Sequence, residues 1–182
     1  MLTEKWNARD LALMAVFAAL CAVCSWISVP ILAVPFTLQT FAVEMTLFCL
    51  GGKRGFLAIG VYLLLGLAGL PVFAGFNGGA GYLLGPTGGY ILGFLISALI
   101  WMRMENRVSG MVGRLAGMAL AIAGCYAAGT LWFWFFRGRG NAMSLMDVMK
   151  ICVFPFLIPD AAKLLLAERV SDRVARAVRL SN

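Results

Sequence analysis

Charged side chains are missing from three long stretches of the chain: the 33 positions from Leu11 to Val43, the 48 from Gly55 to Met102 and the 22 from Leu115 to Phe136. About 20 apolar residues suffice for a helix to cross a hydrocarbon core of roughly 30 Å, so the longest stretch accommodates two helices and a turn. The breakers mark off six helices. The first, at about 9–29, ends at Val29-Pro30 and Val34-Pro35, because the residue before a proline is pushed out of helical geometry. A loop of about seven residues leads to a second helix at 37–50, which stops at the basic, flexible turn Gly51-Gly52-Lys53-Arg54-Gly55. The third covers about 55–74. Seven of the fifteen residues from Gly75 to Gly89 are then glycine, which predicts a loop, partly re-entrant, with close backbone approaches. The fourth, fifth and sixth helices are expected at about 88–105, 112–136 and 152–170, the last interrupted by Pro155 and Pro159.

Composition agrees with this pattern: 62% of residues are apolar and 13% charged, against about 25% charged in soluble domains. The expectation is an all-α polytopic membrane protein, a single domain over residues 1–182. The net charge of +7 points away from nucleic acid, because the basic residues flank the apolar stretches. With the N-terminus in the cytoplasm, Lys5, Arg9, Lys53, Arg54, Arg103, Arg107, Arg114, Arg169, Arg173, Arg176 and Arg179 fall inside, while Arg137, Arg139 and Lys150 fall outside. The positive-inside rule therefore favours six spans with both termini cytoplasmic. Glu4 and Asp10 dilute the basic flank of the first apolar run, so a retained helix is expected rather than a cleaved leader. The arginines at 169, 173, 176 and 179 recur at helical spacing and predict a helix end at the lipid surface.

Several chemistries are excluded by what is missing. The chain has no histidine, hence neither the usual triad base nor the commonest transition-metal ligand. It has no GxxxxGK[ST] motif for ATP. Cys21 and Cys24 have the spacing of a metal or redox pair, but no second pair follows and they sit in an apolar run, so they read as small hydrophobes.

Asp160 and Lys163 are the strongest candidates for function. Three residues apart, they share a helix face, and each would cost about 2.5 to 3.5 kcal/mol at mid-membrane facing lipid, so they point inward. They form either an ion pair that fixes packing or a polar ligand site. In Gly75–Tyr90, Asn77, Thr87 and Tyr90 are polar, and Phe73, Phe76 and Tyr82 are suited to wall an apolar ring, the alternative being tight helix-turn-helix packing. Glu44 lies inside the second span as a proton-coupling candidate or an interfacial residue. Ala8, Ala12, Ala15, Ala19 and Ala22 form a small-residue stripe suited to a second helix, from this chain or a partner.

Five segments carry a resemblance: VPFTLQTFAV at 34–43, GGKRG at 51–55, GLPVFAGFNGGAGYLLGPTGGYILGF at 69–94, YAAGTLWF at 126–133 and PFLIPDAAK at 155–163. Together they resemble the BioY biotin transporters, substrate-binding S components of energy-coupling factor (ECF) transporters. The resemblance implies a six-helix S-component fold in the plasma membrane, no enzymatic activity and no cofactor. It also implies high-affinity biotin capture, energised by a separate transmembrane coupling subunit with two ATPases. It assigns Asn77, Asp160 and Lys163 to the ligand, with Thr87 and Tyr90 in the GPTGGY stretch, Gln39 and Thr40 at the start of the second helix, and Phe73, Gly79 and Tyr82 around the glycine loop. In this picture the ureido group lies on Asn77 and Asp160 and the valerate carboxylate is directed to Lys163. The alanine stripe matches the family's docking motif. The chain departs from the family at Ile158-Pro159-Asp160, commonly P-G-D, and at Glu44, a usually apolar position. The readings that remain beside this one are a solitary proton- or sodium-driven carrier coupled through Glu44, an intramembrane enzyme using Glu44 and Asp160, and a structural membrane subunit.

Overall fold

The computed structural model describes residues 6–30, 34–138 and 143–180, with side chains to residue 174 in the last helix. Lys5 and Arg139 of the charge count, and the side chains of Arg176 and Arg179, lie outside the described residues.

Helix α1, Ala8–Trp26, starts at a reciprocal cap in which the Asp10 amide donates to Asn7 Oδ1 at 2.9 Å and the Asn7 amide donates back to Asp10. A two-residue ribbon follows, in which β1 (Ser28–Val29) pairs antiparallel with β2 (Phe36–Thr37) across the expected loop. The helical run Gln39–Leu67 is broken at Gly51, whose φ of 77° and ψ of 173° belong to a region open essentially to glycine. In an unbroken helix Leu47 and Gly55 would stand about 12 Å apart, yet a methyl placed on Gly55 would lie 3.4 Å from Leu47 Cα. The chain therefore reverses at Gly51, giving α2 (39–50) and α3 (52–67), with the Gly52 amide donating to Glu105 Oε2 at 2.7 Å. The third helix stops at Leu67 rather than near 74.

A loop with left-handed Gly69, Gly75 and Gly79 and a single turn, Ala74–Phe76, leads to the short α4, Ala80–Leu83. It is pinned to α1, whose Ser25 hydroxyl donates to the Val72 carbonyl at 2.6 Å and whose Trp26 indole donates to the Pro71 carbonyl at 2.8 Å. Helices α5, Gly88–Met104, and α6, Gly110–Phe133, pack closely along Gly93 and Cys125, and the Ser97 hydroxyl donates across to the Ala121 carbonyl at 2.9 Å. A π-helical turn, Trp134–Gly138, prolongs α6. Helix α7, Leu145–Cys152, starts at a Ser144–Asp147 capping box, where the Ser144 hydroxyl and amide hold the Asp147 carboxyl below its usual range. Helix α8 is Phe154–Leu180.

Two expectations for the last helix change. The break falls at Val153 (φ −124°), between α7 and α8, and Pro159 sits inside α8 without ending it. The missing Pro159 amide would have bonded only to the Pro155 carbonyl in the first turn. The arginine-bearing tail continues the same helix.

Among the described residues the helices Ala8–Trp26 and Gly110–Arg137 are long and apolar enough to cross a membrane; the apolar run Gln39–Leu67 reaches that length only across its reversal at Gly51, and Gly88–Met104 is a shorter apolar helix. The core lies where α1, α2, α3, α5 and α6 meet, around the fully buried Leu47, Ile59, Tyr62 and Met118. Ion pairs gather at one end of the bundle: Arg54 to Asp10 at 3.1 Å, and Arg114 to Glu168 at 3.2 Å and to Asp172 at 2.8 Å.

Candidate functional site

At the opposite end, α8 turns Asp160 and Lys163 toward the start of α2. The Lys163 ammonium donates to Asp160 Oδ1 at 2.7 Å, to the Thr37 carbonyl at 2.6 Å and to Thr40 Oγ1 at 3.1 Å. The Thr40 hydroxyl lies 3.0 Å from Asp160 Oδ1 and donates to it, and the Tyr126 hydroxyl of α6 donates to Asp160 Oδ2. Asp160 is 6% exposed and Lys163 7%. A buried ion pair survives only when its remaining donors and acceptors are also satisfied, and here β2, α2 and α6 supply them. Lys163 also stands 4.2 Å from the centre of the Phe36 ring, which stacks on Phe156 at 6.0 Å.

These groups form one wall of a cavity of about 70 Å³. Gln39, Thr40, Tyr126, Asp160 and Lys163 make its polar side, and Tyr82, Tyr90, Phe94 and Phe156 its aromatic side, with Val34, Pro35 and Thr87 also lining it. Second contacts fix the lining. The Gln39 amide donates to the Tyr62 hydroxyl at 2.6 Å, the Tyr90 hydroxyl lies 3.2 Å from Thr130 Oγ1, and Tyr82 stacks on Phe73 at 5.5 Å. Behind Tyr126, Ile122 and Asp160, which line both spaces, lies a second recess of about 180 Å³ between α6 and α8, reaching Glu44 on α2.

Seven of the ten residues expected at the ligand line the cavity: Gln39, Thr40, Tyr82, Thr87, Tyr90, Asp160 and Lys163. Three do not. Phe73 is fully buried behind Tyr82, Gly79 spends its amide on the Gly66 carbonyl at 2.7 Å, and Asn77 is exposed, its side-chain amide donating to the Ala74 carbonyl at 2.8 Å. Phe76, also considered for the wall, stacks instead on Trp26 at 5.1 Å and is 63% exposed. Tyr126, Phe36 and Phe156 are among the residues that sequence reasoning missed. Their signals were a lone hydroxyl-bearing ring in a charge-free run and two Pro-Phe steps, Pro35-Phe36 and Pro155-Phe156. On α1, Ala8, Ala12, Ala15 and Ala19 are exposed and Ala22 is buried.

A family model described as the BioY family matches residues 1–180. The biotin transporter BioY of Thermotoga maritima is 36% identical over 168 residues, 92% of this chain and 96% of that one. A probable biotin transporter BioY of Pyrococcus horikoshii is 38% identical over 169 residues, 92% and 97% of the two chains. Among solved structures, the S-component for biotin from an ECF-type ABC transporter superposes with a TM-score of 0.84 at 26% identity, covering 97% of this chain and 95% of that one. The S component of a bacterial ECF transporter shares the fold at a TM-score of 0.57 and 13% identity, covering 94% of this chain and 95% of that one. A match along nearly the whole chain, with the S-component fold beneath it, means that the chain belongs to the BioY family.

Proposed function

We propose that the cavity at Asp160 and Lys163 is a biotin site and that the chain is the substrate-binding S component of an ECF transporter. It is a transport subunit and not an enzyme. The observation that carries the site is the buried Asp160–Lys163 pair, held by Thr40 and Tyr126 and opening onto an aromatic-lined cavity. Biotin pairs a ureido ring, which donates and accepts hydrogen bonds, with an apolar bicycle and a carboxylate tail. Asp160 accepts the ureido N–H groups, the rings of Tyr82, Tyr90 and Phe156 pack the bicycle, and Lys163 or Gln39 meets the remaining polar end. Asn77 takes part only if the glycine loop turns it inward from its exposed position. Small-molecule sites enclose roughly 300–1,000 Å³, so capture entails moving the β2 side away from the Tyr82–Thr87 side to enlarge a cavity of about 70 Å³.

In this account α1, α2, α3, α5, α6 and α8 are six spans in the plasma membrane, with both termini cytoplasmic. The Gly51 reversal supports the count, and the ion pairs gathered at the end remote from the cavity support the orientation. The exposed Ala8, Ala12, Ala15 and Ala19 form the face on which the coupling subunit docks, and two ATPases supply the energy. Proteoliposomes test this directly. Biotin accumulates when the chain is joined by coupling subunit, ATPases and ATP, and not with the chain alone. Accumulation by the chain alone, driven by an imposed ion gradient, would make it a solitary carrier.

A further inference from the structure

Glu44 is a buried carboxyl group beside the ion pair that the binding site leaves unused. It is 1% exposed, and its Oε2 has no hydrogen-bond partner. It lies in the recess behind the ion pair, whose other walls are Ala119, Ala123, Leu157, Ala161 and Leu164 apart from the Ile122, Tyr126 and Asp160 partition shared with the cavity. Asp160 lines the recess from α8 and Tyr126 from α6, and Lys163 stands behind Asp160 as its ion-pair partner. The buried titratable side chains of α1 are Cys21 and Cys24 and that of α5 is Tyr90, groups that carry no charge near neutral pH. The cluster thus sets one ammonium against two carboxyl groups. An anionic ligand in the adjoining cavity adds a third negative group, and like charges repel more strongly in a low-dielectric interior than in water.

We propose that Glu44 is a proton-binding group coupled to the ligand site, so that an anionic ligand is held together with one proton on Glu44. The proton is supplied by hydronium or a buffer acid in the bulk water, whose bond to hydrogen breaks as the O–H bond forms at Oε2; the conjugate base stays in solution and no electrons are transferred. The proposal rests on the adjoining cavity being the ligand site. It concerns binding and is independent of what drives transport.

Linkage sets the sign. A ligand anion favours the protonated carboxyl, so anion affinity falls as pH rises, by up to about tenfold per pH unit where one proton accompanies the ligand. An uncharged ligand lacks this slope. The experiment is calorimetric titration of biotin, and of biotin amide, into the detergent-purified chain from about pH 6 to about pH 9, a range in which the biotin carboxyl stays ionised. The expected result is an affinity for biotin that falls with pH, an affinity for biotin amide that does not, and a flat profile for biotin with Glu44→Gln. Either comparison suffices, so a Glu44→Gln chain that fails to fold leaves the two-ligand comparison in the unaltered protein to decide. A flat biotin profile, equal slopes for the two ligands, or a slope that persists in Glu44→Gln overturns the proposal and leaves the biotin site standing. Failure of biotin to bind at any pH overturns the site and the proposal together.

Discussion

Lys163 shares its ammonium among Asp160, Thr40, the Thr37 carbonyl and the face of Phe36, so removing it strands a buried carboxylate. Breaking one side of a buried pair costs about 3–5 kcal/mol, whereas replacing both sides with uncharged groups costs much less. Lys163→Met should therefore lower the thermal midpoint by on the order of 10 °C, and Asp160→Asn combined with Lys163→Met should recover part of that loss in the same melting experiment. Equal midpoints for Lys163→Met and the unaltered chain would mean that the pair is not held as described. The pair was legible in the sequence because two charges three residues apart in an apolar stretch have few places to go. Tyr126, Phe36 and Phe156 were not, since an aromatic ring in such a stretch packs equally well in a core, and their partners lie far away in sequence. Tyr126 meets Asp160 across 34 positions, a closeness that only the packing of α6 on α8 creates.

At the level of elements, glycine decides what local pattern leaves open. The GGKRG turn was legible as a hairpin because basic, flexible residues interrupt two apolar runs, and Gly51 performs the reversal in a conformation that other residues rarely adopt. Pro159 misled because proline usually ends a helix, yet in α8 it removes one hydrogen bond, to the Pro155 carbonyl, and the helix runs on through it. The glycine loop concealed the outward position of Asn77, because left-handed turns at Gly75 and Gly79 set side-chain direction without any side-chain signal. Gly129 has the plainest consequence for the site: the Tyr90 ring lies directly against it, and a methyl there would collide with the ring. Gly129→Ala should displace Tyr90 from the cavity, cost about 1–3 kcal/mol as an overpacked core does, and weaken biotin binding measured by titration. Unchanged stability and affinity would show that the Tyr90 wall yields freely.

On the scale of the whole molecule the two ends differ in kind. One end gathers Asp10, Arg54, Arg114, Glu168 and Asp172 into ion pairs, and the other encloses a cavity around a single buried pair. The layout was legible as alternating apolar runs and basic flanks, while the ribbon of β1 and β2 was not, because two-residue strands carry no periodicity to read. The cavity is distributed over the loop before α2, the start of α2, the glycine loop, α5, α6 and α8, so the bundle must assemble before any ligand group can be held. Whether biotin lies against Asp160 is read by calorimetric titration of biotin into the detergent-purified chain, beside Asp160→Asn. Hydrogen bonds to a charged group contribute about 1.5–3 kcal/mol each, so the account predicts tight binding by the unaltered chain and an affinity at least about tenfold weaker in Asp160→Asn. Equal affinity of the two folded proteins, or no binding by either, would contradict it.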